Sequence, residues 1–170
     1  MVISLKTPPE CSASELADFA TFVRAGGEVL SVGLDKRIAA AQALLFVCDD
    51  ECLLGIAALK KPTLNYRASV FKKSSATLKP EGFHLELGWI FVLPSSRGKG
   101  LSHQLVNAAV AHAGRTQIFA TSRRDNRAMH NSLLTAGFVK HGSEYPSRDG
   151  TSKVELFIRI VPPEEPTNTK

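Results

Sequence analysis

At 170 residues the chain is long enough for one domain with a substantial core and too short for two. Apolar residues at 44% and charged residues at 22% are ordinary globular usage, which excludes a disordered or fibrous chain, and no apolar run reaches the roughly 18 to 20 residues of a membrane span. The formal net charge of +5 suits an anionic ligand, a nucleic acid or an acidic surface without choosing among them.

Val2 to Leu5 has the composition of a short first strand. Ser12 with Glu15 three residues on has capping-box spacing; Leu16, Phe19, Ala20 and Val23 follow at helical intervals until Gly26 and Gly27 stop the helix. A second helix is expected from Leu34 to Ala43. "LLFVCDDECLLGIAAL" is an apolar run, an acidic turn and a second apolar run, which predicts a hairpin of strands Leu44 to Cys48 and Leu53 to Leu59. Cys11, Cys48 and Cys52 are odd in number and no secretory segment opens the chain, so reduced thiols in the cytoplasm are expected. Cys48 and Cys52 are expected as small apolar residues on facing strands of the hairpin, and no metal site is expected.

Residues 61 to 81 hold Pro62, Pro80 and many lysines without a sustained period, which predicts a variable insertion with at most a short edge strand at "YRASVF". The basic stretch of Lys60, Lys61, Arg67, Lys72, Lys73 and Lys79 is either a solvated connector or a face toward an anionic substrate such as a nucleic acid. From His84 to Leu93 the run is too apolar for a one-sided strand and belongs at the centre of a sheet. Within it Glu86 shares alternation with Gly88 and Ile90, with Trp89 and Phe91 on the other side as core. Leu101, Leu105, Val106, Ala109 and Ala113 then mark a helix that Gly114 closes. "QIFAT" is a strand, and Asp125 or Asn126 caps a helix carrying Met129, Leu133 and Leu134 that Gly137 ends. Phe138 to His141 and Val154 to Ile160 give two last strands. A single domain over 1–160 is expected, with 161–170 a flexible tail. A hairpin followed by alternating strands and helices makes the class mixed α/β.

Between the central strand and its helix stands "LPSSRGKGLSH". A strand that turns through glycines into a helix leaves backbone N–H groups unpaired in front of the helix dipole, an anion site that Arg97 and Lys99 reinforce. Neither nucleotide fingerprint fits: there are not four residues between the glycines, and the residue three after Gly100 is His103.

Val92-Leu93-Pro94 followed by Arg97-Gly98-Lys99-Gly100-Leu101-Ser102 resembles the acyl-coenzyme A loop of the GNAT superfamily of N-acyltransferases, with Ser102 departing from the usual glycine or alanine. "NRAMHNSLLTAGF", Asn126 through Phe138, resembles that family's later helix, at the family's distance. The resemblance implies a GNAT fold: a mixed central sheet of about six to seven strands with strands four and five splayed apart, flanked by about four helices. It implies acetyl-CoA as cofactor, held by the backbone of Ile90, Phe91 and Val92, the turn of Arg97, Gly98, Lys99, Gly100, Leu101, Ser102 and His103, and Asn126. It further implies an N-acetyltransferase in which Glu86 is the general base for direct attack by a primary amine, with a backbone N–H near Phe91 or Val92 for the oxyanion. The family's tyrosine acid falls on Leu133, which carries no proton, so Tyr145, His130 or Ser132 is left for that role, Tyr145 being the residue chosen. The expected partner is a small-molecule or protein amine met by a monomer or homodimer. The alternatives are a CoA-binding regulatory module with weak or no catalysis, which Leu133 suggests, and an acetyltransferase acting on a nucleic-acid-linked substrate.

Overall fold

The computed structural model describes residues 1–27, 32–50 and 52–161. Seven strands among them, β1 (Val2–Lys6), β2 (Ala43–Asp49), β3 (Cys52–Lys60), β4 (Leu85–Val92), β5 (Ile118–Arg123), β6 (Val139–Pro146) and β7 (Lys153–Arg159), form one sheet in the order β1-β2-β3-β4-β5-β7-β6. All neighbours are antiparallel except β4 and β5, which run parallel. The helices are α1 (Ala13–Ala25), α2 (Leu34–Ala39), α3 (Leu64–Lys73), α4 (Leu101–Ala113) and α5 (Arg127–Thr135). None of the described helices is long and apolar enough to cross a membrane. The expected tail at 161–170 lies, after its first residue, outside the described residues.

Helices cover both faces, which is why the central strands are apolar in both parities. Ala43, Leu45 and Val47 of β2 join Leu87, Ile118 and Ala120 beneath α4 and α5. The alternate residues Leu44 and Phe46 meet Phe19 and Val23 of α1 and Leu34 and Ile38 of α2. Under α3 lies a third cluster, in which Val70 and Phe71 pack on Phe83, Phe119 and Leu156. Ser12 caps α1 as its spacing predicts, accepting from the N–H of Glu15 while Glu15 Oε2 accepts from the N–H of Ser12. In the hairpin Cys48 sits opposite Leu53 and Cys52 opposite Asp49, so the two cysteines are one step out of register.

Three expectations need correction. Residues 61 to 81, expected as a variable insertion with at most a short edge strand, hold a fifth helix, α3, and "YRASVF" is helical rather than an edge strand. Thr63 caps it by accepting from the N–H of Tyr66, and its inward positions are Arg67, Val70, Phe71 and Ser74. Two of these four are polar, so the apolar period is thin. Arg67 is buried with its guanidinium donating to the Phe83 carbonyl, and Lys60 ends β3, so the six-residue basic stretch is not one surface patch. The second helix stops at Ala39, because the N–H of Gln42 is already bonded to the Leu59 carbonyl of β3.

The third correction bears on the site. Ile56 pairs with Phe91 and Ala58 with Gly88, so Trp89 and Ile90 together oppose Ala57: β4 carries a bulge there, with Trp89 at φ +51°. Alternation slips by one across it. Ile90 and Val92 turn to the α4 face with Leu87, whereas Trp89 and Phe91 turn to the α1 face, the side Glu86 occupies. Just beyond the bulge, where Gly55 pairs with Val92, a Cβ on Gly55 would come 2.9 Å from the Phe91 carbonyl oxygen and 3.1 Å from both Val47 Cγ1 and Val92 Cγ2. Gly55→Ala is therefore expected to lower stability by about 1–3 kcal/mol through overpacking. The measurement is urea unfolding, with a lower midpoint at unchanged slope; an unchanged midpoint would mean that β4 yields freely here.

Candidate active site

Strands β4 and β5 pair only from Leu85 with Ile118 to Leu87 with Ala120 and then part. A cleft of about 590 Å³ opens between them, with Glu86 to Val92 along one wall and Ala120 to Ser122 along the other. Beyond Leu87, β4 has no strand on its β5 side, so backbone groups of residues 88–92 that face that way are left for a ligand to satisfy.

One end of the cleft is the glycine turn. Leu93 is still held to β3 through the Leu54 carbonyl; Pro94–Ser96 makes a single 3₁₀ turn, and Arg97 Nε donates back to the Val92 carbonyl at 3.3 Å. Gly98 and Gly100 have φ of +79° and +73°, a left-handed conformation that costs other residues about 1–2 kcal/mol. A Cβ at either position would meet nothing within 4 Å, so the demand here is on backbone conformation and on open space in front of the loop. The first bond within α4 runs from the N–H of Gln104 to the Gly100 carbonyl, which leaves the N–H groups of Leu101, Ser102 and His103 without an intrahelical acceptor. Those donors stand at the positive end of a 13-residue helix, where the sequence leads one to expect an anion site. Arg97, Gly98, Gly100, Leu101 and Ser102 line the cleft. Lys99 is exposed on the turn; His103 Nε2 lies 3.0 Å from Asn107 Nδ2, one turn along α4. Ser102 does not cap its own helix: its hydroxyl lies 3.3 Å from that of Ser132, tying α4 to α5.

Across the cleft, Asn126 caps α5 by accepting from the N–H of Met129 at 3.1 Å, and both residues line the wall. Leu133, fully buried, lines it too and offers no proton. His130 faces away, with Nε2 2.9 Å from the Arg123 carbonyl and its ring against Phe157. Ser132 donates to the Ala128 carbonyl.

The other end holds a cluster of charges and hydroxyls. Glu86, 3% exposed, sits opposite Lys60 in the register; Lys60 Nζ is 2.9 Å from its Oε1, and the Tyr66 hydroxyl of α3 donates to the same oxygen at 3.1 Å. A carboxylate this buried requires such partners. Lys60 packs directly over Gly88: a Cβ there would lie 2.7 Å from Lys60 Cε and would oblige the end of the lysine side chain to shift. Lys60 continues over the Trp89 ring, 5.2 Å from its centre. Tyr66 is 43% exposed as a whole, but loss of water around its hydroxyl, and then the negative charge of Glu86, push that hydroxyl above the usual tyrosine range. Tyr145, in the apolar cluster beneath α3, is pushed up to about 12 by burial and by Glu86.

Glu86, the β4 backbone, the glycine turn and Asn126 thus meet in one cleft. Tyr66 and Lys60 complete it and were not legible as site residues. Thr63 three residues before Tyr66 was a usable cap signal for α3, but nothing local aims Tyr66 at Glu86, and Lys60 reaches it only through the β3–β4 register.

The Acetyltransferase (GNAT) family model matches residues 15–138. No curated protein matches significantly. Among solved structures, an acyl-CoA N-acyltransferase from Pseudomonas aeruginosa is similar with a TM-score of 0.68 at 18% identity, over 94% of this chain and 99% of that one. The Salmonella typhimurium protein yncA, solved with its cofactor acetyl-CoA, gives 0.67 at 15%, over 100% and 99% of the two chains. FeeM, an N-acyl amino acid synthase from uncultured soil microbes, gives 0.70 at 16%, over 95% and 91%.

Proposed function

The chain belongs to the GNAT acetyltransferase family, and from that premise we propose that it moves an acetyl group from acetyl-CoA to a primary amine in the cleft between β4 and β5. The observation that carries this is the continuity of one cleft from the N–H groups at the start of α4 to the buried carboxylate of Glu86. The residues fit the cofactor: unpaired N–H groups of Leu101 to His103 and the two left-handed glycines suit a diphosphate, and the unpartnered edge of residues 88–92 suits an amide-bearing arm. Acetyl-CoA, when bound, supplies an acetyl group activated as a thioester.

The chain's own residues do the rest. A primary amine arrives protonated at neutral pH, since its pKa is near ~10. Glu86 takes that proton, and the exposed N–H groups of residues 88–92 receive the negative charge that develops on the carbonyl oxygen. As the nitrogen attacks the thioester carbon and the carbon–sulfur bond breaks, Tyr66, held against Glu86, gives its proton to the departing sulfur and recovers one from the newly bonded nitrogen, while the proton on Glu86 returns to solvent. Tyr145 lies in the apolar cluster beneath α3, is not among the residues lining the cleft and takes no step in the transfer, and Leu133 closes the wall as an apolar residue.

Leu133 also favours a second reading, a CoA-binding module without catalysis. One assay separates the two: thiol release from acetyl-CoA with a panel of primary amines. Stoichiometric thiol and N-acetyl amine are expected; tight acetyl-CoA binding with no thiol above the blank would leave only the module.

A further inference from the structure

The amine end of the cleft holds a cation for which the transfer reaction has no need. Lys60 lines the cleft beside Glu86, its side chain 19% exposed against 4% for Glu86, with Nζ 2.9 Å from the carboxylate. Its place is built rather than incidental: β3 sets it opposite Glu86, it packs over Gly88, and the Trp89 ring supports it. For a simple alkylammonium that approaches Glu86, this second positive charge offsets part of the attraction of the carboxylate. That offset becomes a further attraction if the acceptor carries a carboxylate a few bonds from its amine. Then the ammonium reaches Glu86 while the carboxylate takes a charge-assisted bond from Lys60, and the ion pair on the protein is matched by the opposite pair on the ligand. Trp89 adjoins Lys60, and from it toward the glycine turn the wall continues as apolar with Val23, Ala25 and Phe91.

We infer that the acceptor is a free α-amino acid with an apolar side chain, and that Lys60 is the residue that selects it. This rests on the transfer function proposed above. A lysine that served only to balance buried Glu86 would favour no acceptor over its decarboxylated counterpart.

Trp89 is the only tryptophan of the chain, so intrinsic fluorescence reports directly on this end of the cleft. The experiment titrates the full chain, saturated with CoA, with L-leucine and with 3-methylbutylamine, a pair that differs only by the carboxylate. L-leucine is expected to bind at least about tenfold more tightly, the scale of one charge-assisted hydrogen bond. Lys60→Met is expected to bring the two ligands within about twofold, and Lys60→Arg to keep the preference. Equal or tighter binding of the amine, no binding of L-leucine, or a preference that survives Lys60→Met overturns the inference. The wild-type comparison stands even if Lys60→Met fails to fold. Thiol release is scored separately: release with 3-methylbutylamine at least as fast as with L-leucine keeps the transferase and sinks the amino acid, whereas preferred L-leucine binding with no release from any amine does the reverse.

Discussion

Glu86→Gln is expected to lower kcat for amine acetylation by about 10²- to 10⁴-fold, the usual contribution of a positioned general base, with acetyl-CoA affinity nearly unchanged. The affinity should hold because the anion cradle is at the other end of the cleft, at the start of α4. Glutamine preserves the shape and an oxygen that can accept from Tyr66 and Lys60, but it cannot take a proton. A purely structural role for Glu86 would also reduce activity, and pH separates the two. Near pH 10 about half of a free amine is already neutral and needs no base, so the deficit of the variant should narrow as pH rises toward that value. A deficit that stays constant across that range, or a kcat equal to wild type, would remove Glu86 from the chemistry.

The second large effect is expected at the glycine turn. Gly98→Glu places a side chain at a φ of +79° and sets a carboxylate before the N–H groups that await an anion. Acetyl-CoA affinity, read by isothermal titration, should fall by about 100-fold or more, the scale of losing two or more charge-assisted bonds. Gly150→Glu is the control: its φ is +71° and its Cβ would also meet nothing within 4 Å, but it lies in the β6–β7 turn and does not line the cleft. That variant bears the same kind of strain and should bind normally. Equal losses in both variants would mean that the effect is one of folding and not of the site.

The parts of this site that were legible in the sequence are those fixed by local chemistry. A glycine pair between an apolar strand and an apolar-periodic helix marks the cradle, and Asn126 three residues before Met129 marks the cap of α5. What escaped depends on register and on tertiary burial. The bulge at Trp89 has no local mark, since tryptophan is an unusual residue at positive φ, yet it turns the aromatic wall toward Glu86. Helix α3 was hidden because Arg67 and Ser74 occupy two of its inward positions, and with it went Tyr66. Arg67 can be inward because the Phe83 carbonyl accepts from it, an arrangement visible only once β4 and α3 are folded together. The Lys60–Glu86 contact belongs to the same class: 26 positions apart, the two residues meet because β3 and β4 are antiparallel neighbours.

The most direct test of the central claim is the structure of the protein with CoA bound. The diphosphate should sit on the N–H groups of Leu101 to His103, the pantetheine arm should run between β4 and β5 along residues 88–92, and the sulfur should end beside Glu86 and Tyr66. CoA bound outside this cleft, or within it with the sulfur remote from Glu86, would contradict the account.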